Sequence, residues 1–98
     1  MTLAKDFPKT VRHTLGYKID EHFLKMLSYV YLATYQPPLE KILTLSRAIT
    51  QLDLTKFLLS IAWESKVIPD NHYITLSTDL DGLGRMLGGW KKGLDKKL

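Results

Sequence analysis

Tyr73, Leu76, Leu80, Leu83, Leu87, Trp90 and Leu94 recur at spacings that alternate three and four. That is an unbroken a/d heptad seam, and it predicts one long amphipathic helix packed against other helices. The seam passes straight through Gly82, Gly84, Gly88 and Gly89. A phosphate-cradling loop would not keep such a register. The run from Gly82 to Gly88 also lacks dinucleotide-loop spacing, and no strand precedes it. Each interior glycine costs a helix about 0.8–1 kcal/mol against alanine, so this helix needs tertiary contacts. Two readings of the glycines stand at this point. Gly84 and Gly88 lie on one flank and can admit a close neighbour, or Gly88 and Gly89 frame the helix C-terminus.

Two further segments share the helical period. From Lys9 or Thr14 to Tyr35, the residues Leu15, Ile19, Phe23, Met26, Leu27, Val30 and Tyr31 cover about half the helix circumference. An arc that wide needs more than one neighbouring helix. Gln36-Pro37-Pro38 ends this segment, and Pro38 suits a first helical position. The second segment carries one apolar stripe of Leu39, Ile42, Leu43, Ser46 and Ile49. A second stripe of Leu54, Phe57, Leu58 and Ile61, rotated around the axis, follows, as expected of a helix that wraps its neighbours or bends near Asp53. Val67 to Asn71 is the second break, with Asp70 or Asn71 the expected N-cap of the third helix. No alternating strand pattern occurs. The expected fold is all-α, a helical up-down bundle formed by residues 1–98 as a single domain. Its helices span about 9–35, 38–67 and 70–91, with a basic tail at 91–98.

Chemistry is constrained by what the chain lacks. It has no cysteine, so there is no disulfide framework and no thiolate ligand. His13, His22 and His72 have no metal-binding spacing, and Asp79 and Asp81 point apart on a helix. No nucleophile–base set is present, so neither catalysis nor a metal or other cofactor is expected. No run is apolar enough to span a membrane, and "MTLAKDFPK" lacks the apolar core of a cleavable leader, which makes the cytoplasm the expected location. The formal net charge of +4 permits an acidic partner. Lys91 and Lys92, with Lys96 and Lys97 beyond, load one end of the chain with cations that can neutralise phosphates.

Three stretches carry a family resemblance in order and spacing: "DFPKTVRHTLGYKI" (6–19), "LTKFLLSIAWESKVI" (54–68) and "LSTDLDGLGRMLGGWKK" (76–92). Together they resemble the accessory variability determinant (Avd) proteins of diversity-generating retroelements, in the four-helix-bundle superfamily of the ribosomal intervening-sequence proteins. The ending G-R-M-L-G-G-W is the most specific part. The resemblance implies a four-helix bundle assembled as a pentamer. It also implies a non-enzymatic role: binding reverse transcriptase and RNA to support mutagenic copying of a template repeat. The basic positions that match the family are Lys9, Arg12, Arg85 and Lys91; with Lys92 they form the expected RNA-binding surface. Family members usually carry a helix ahead of F-P-K. Only "MTLAKD" precedes Phe7 here, so the first helix is expected to be very short or missing, with self-association or a partner covering the gap. The rival reading is a structural, self-associating bundle of the intervening-sequence type with no retroelement role.

Overall fold

Two proline-marked breaks divide the chain into three helices: α1 (Lys9–Ala33), α2 (Pro38–Glu64) and α3 (Asp70–Lys97). The structure, a computed structural model, describes the backbone of residues 9–97 and the side chains of residues 12–97. The stretch ahead of Lys9, on which the expected short or missing first helix falls, lies outside the described residues. Short connections force the helices up, down and up. The level of each contact shows the same order: His22 meets Gln51, Lys56 meets Asp81, and Lys41 lies over Trp90. α1 and α3 both pack on α2, and among the described residues their backbones do not approach each other. The result is a bundle of 50 × 22 × 18 Å with α2 at its centre.

Both turns are closed by backbone chemistry that the local sequence dictates. After Ala33, the amides of Thr34, Tyr35 and Gln36 donate to the carbonyls of Tyr31, Leu32 and Ala33, tightening the last turn to the i→i+3 pattern. Pro37 is then extended, at φ −67° and ψ 160°, and Pro38 opens α2 as expected, where its missing N–H costs nothing. At the other break, Val67 N–H donates to Ala62 C=O and Lys66 N–H to Trp63 C=O, both at 2.9 Å. This is a Schellman motif, with Lys66 in its left-handed position at φ 58°. Asp70 is not the cap of α3. The Tyr73 amide already bonds Pro69 C=O, which places Asp70 inside the first turn, and its carboxylate accepts a 2.8 Å hydrogen bond from the Trp63 indole. Trp63 in turn stacks on Tyr73, with ring centroids 4.5 Å apart.

The core is Met26 and Ala33 from α1, Leu45, Ala48, Leu52 and Leu59 from α2, and Leu80 and Leu87 from α3. The heptad seam of α3 therefore faces inward, with Tyr73, Leu83, Trp90 and Leu94 packed around its buried centre. Leu76 departs from it and is 45% exposed.

The two apolar stripes of α2 lie largely off the core, with Ile42, Ser46, Ile49, Leu58 and Ile61 half-buried. Leu39, Leu43, Leu54 and Phe57 are exposed, while Thr44, Leu45, Ala48, Leu52, Thr55, Leu59 and Ala62 are buried. The reason is size. Thr44, Ala48, Thr55 and Ala62 fall on the flank of Gln51, which faces α1, and small side chains let two backbones come close. A search for large apolar residues passes over them and selects the outer face.

Three further expectations are corrected. α1 and α2 end at Ala33 and Glu64, a turn or less before the expected limits. α3 does not stop near residue 91 but continues to Lys97, so the basic "tail" is helix. Leu94 extends the seam onto the core, and Lys96 and Lys97 in the last turn complement the helix dipole. Gly88 and Gly89 consequently do not frame a terminus. The close-packing reading survives only at Gly84, where an added Cβ would lie 3.5 Å from Leu52 Cδ2, an ordinary contact; at Gly88 it would meet nothing within 4 Å.

Candidate nucleic-acid interface

The expected cations come from two helices, and the up-down order fixes where they go. Lys9 lies in the first turn of α1, and its side chain is outside the described residues. Arg12 is exposed near the same end. Arg85, Lys91 and Lys92 belong to the second half of α3. Because α1 and α3 run parallel, with Ile19 level with Leu76 and Val30 level with Leu87, Arg12 and Lys91 lie at opposite ends of the bundle. At 1.5 Å per residue they are about 30 Å apart along the axis. One protomer therefore brings Arg85, Lys91 and Lys92 together and leaves Lys9 and Arg12 elsewhere.

Within the α3 group the cations face different ways. Arg85 and Lys92, seven residues apart, share an exposed stripe that continues to Lys96. Lys91 is half-buried on the side of α3 turned toward α2. The ion pairs among the described residues are Lys18–Glu21, Lys25–Glu21 and Lys56–Asp81, so Arg12, Arg85, Lys91 and Lys92 are left without an acidic partner there. The hydrogen bond from Lys18 and the charges of Lys18, Lys25 and His22 hold the Glu21 carboxyl below the usual glutamate range.

Other groups at the same end are not legible as site residues in the sequence. Pro37-Pro38 turns the start of α2 back beside the end of α3, which puts Lys41 Nζ 5.7 Å from the centroid of the Trp90 ring. Tyr31 in the last turn of α1 and Tyr35 in the turn that follows it stand exposed. The signal that could have found them is the break spacing: an up-down bundle with short turns must set residues 31–41 beside residues 90–97.

The second surface feature is apolar. Because the backbones of α1 and α3 stay apart, a groove runs between them. Its upper part, about 360 Å³, is lined by Met26, Leu27, Val30, Leu83, Met86 and Trp90 among others. Its lower part lies among Ile19, Phe23, Leu59, Leu76 and Leu80, with Asp20 at the edge. Among the described residues no three His, Cys, Asp or Glu side chains gather as a metal site, and no helix is long and apolar enough to cross a membrane.

These features define an all-α helical bundle whose surface offers, among the described residues, cations without an acidic partner and an apolar groove along its side. The family model described as bAvd-like matches residues 1–94, and the chain belongs to that family. It is thus an Avd-type protein, an accessory of the retroelement kind. No curated protein and no solved structure gives a significant match.

Proposed function

We propose that the chain is a non-catalytic, cytoplasmic accessory of a diversity-generating retroelement that self-associates, as a pentamer, and holds reverse transcriptase and RNA together during mutagenic copying of the template. The family match over residues 1–94 carries this reading. The structure supports it in two ways. Leu39, Leu43 and Phe57 on α2, and Tyr17 and Leu24 on α1, are all 60% exposed or more, and such an amount of apolar surface favours assembly. Arg12 and Lys9 at one end, and Arg85, Lys91 and Lys92 at the other, supply the cations for phosphates. In a ring of identical subunits each cluster is repeated, which raises avidity without any new contact.

The test is co-purification. The tagged chain is expressed with the reverse transcriptase of a diversity-generating retroelement and with its template-repeat RNA, and bound material is analysed before and after ribonuclease. Retention of both partners is expected. Recovery of neither, from a chain that self-associates normally, would favour the purely structural bundle.

A further inference from the structure

The end of the bundle where α1 finishes, α2 begins and α3 finishes carries a feature that phosphate neutralisation does not require. Tyr31 and Tyr35, one helical turn apart, are 66% and 74% exposed. Their rings meet edge to face, with centroids 5.2 Å apart at 61°, and the Tyr35 hydroxyl donates to that of Tyr31 at 3.4 Å. That bond also holds the Tyr35 phenol above its ordinary pKa. The pair is thus oriented by its own contacts while its rings stay open to solvent. α3 finishes at the same end of the bundle, across the groove from α1, with Lys91, Lys92, Lys96 and Lys97 against Asp95 in its last turns. The bundle is only 22 × 18 Å in cross-section. At about 3.4 Å per stacked nucleotide, five or six nucleotides cross it.

The opposite end makes an instructive contrast. It also holds an aromatic pair, Trp63 and Tyr73, but those rings are stacked on each other at 6° and the Trp63 N–H is taken by Asp70. Their facing surfaces are occupied, and Glu64, Lys66 and Asp70 stand alongside. The helix dipole accounts for Lys96 and Lys97 in the last turn of α3. It does not account for two open tyrosines at the same end. Cations flanking exposed aromatic faces are what an unpaired strand needs: phosphates take the charge and bases take the rings. A duplex keeps its base faces covered and has no use for the tyrosines.

We propose that this end of the bundle binds single-stranded RNA, with bases stacking on Tyr31 and Tyr35 and phosphates lying along the terminal lysines of α3. The proposal rests on the RNA-binding half of the function proposed above, and narrows it to unpaired strands held partly through their bases.

The test uses the full chain and three labelled probes in fluorescence anisotropy: a 12-nucleotide oligo(A) RNA, an abasic ribose-phosphate oligomer of that length, and a 12-base-pair RNA duplex. Oligo(A) is expected to bind roughly tenfold more tightly than the abasic strand for each base stacked. Replacing Tyr31→Leu and Tyr35→Leu together should remove that advantage and leave abasic binding unchanged; Tyr31→Phe with Tyr35→Phe should keep it. In the unaltered protein, ring protons of Tyr31 and Tyr35 should move upfield when oligo(A) is added. Equal binding of oligo(A) and the abasic strand, with no ring-proton shift, overturns the proposal and leaves the broader RNA reading intact. Failure of all three probes at low salt removes the RNA reading and this proposal with it. If the leucine pair instead breaks up the assembly seen by light scattering, the tyrosines cover a contact between copies and the proposal is wrong.

Discussion

Lys66 sits at φ 58° in the Schellman turn that ends α2, a conformation in which a Cβ crowds the following carbonyl. Lys66→Gly relieves that crowding and keeps both turn hydrogen bonds. It is expected to stabilise the fold by about 1 kcal/mol, or about 4–8 °C in a melt; an unchanged or lower midpoint would show that the turn is unstrained. Gly84 makes a second residue-scale case. An added methyl would sit in ordinary contact with Leu52, so Gly84→Ala should gain most of the helix-propensity difference of about 0.8–1 kcal/mol. A lower midpoint would mean that the approach of α3 to α2 is tighter than described. Glu21 bears on pH. Its folded pKa is depressed, chiefly by the hydrogen bond from Lys18, so its contribution to stability is present above the unfolded pKa and is lost as pH falls through the folded one. An NMR titration should place its carboxyl below the usual range, and Lys18→Met should move it back up; no response to Lys18→Met would assign the shift elsewhere.

At the scale of the helices, each element was legible in its own way. The seam of α3 could be read because large side chains at 3-4 spacing mark a buried stripe and Gly88 and Gly89 do not interrupt it. The core face of α2 could not, because Thr44, Ala48, Thr55 and Ala62 bury surface without announcing it in hydropathy. The end of α3 was misplaced for a related reason: glycines and lysines look like a frayed terminus until Leu94 is seen against the core. Truncating that contact tests the point. Leu94→Ala should cost about 1 kcal/mol, less than the full burial of a leucine since the side chain is only half covered, and the amides of residues 91–97 should exchange slowly. Free exchange there, with no loss of stability, would return the segment to a tail. The candidate site was legible only as a list of cations. That Lys91 and Arg12 lie at opposite ends follows from the order of the helices, and Tyr31, Tyr35 and Lys41 join the site only when α2 folds back.

At the scale of the whole molecule, the apolar groove and the exposed outer face of α2 are what a chain of 11.3 kDa cannot cover by itself. Each leucine-sized side chain left in water forfeits about 1.5–3 kcal/mol. Light scattering at micromolar concentration is expected to give a multiple of the protomer mass. Phe57→Glu should shift it toward smaller species with helix content preserved; a monomer in the unaltered protein would contradict the proposed self-association. Assembly, however, is shared by the purely structural alternative, and the copying reaction separates the two. The direct measurement is cDNA synthesis by the reverse transcriptase of a diversity-generating retroelement on its template-repeat RNA, with and without this protein at matched salt. The account predicts that the protein raises the yield of template-repeat cDNA and that Arg85→Ala with Lys91→Ala weakens this effect while the assembly persists. Equal yields with and without the folded, assembled protein would contradict it.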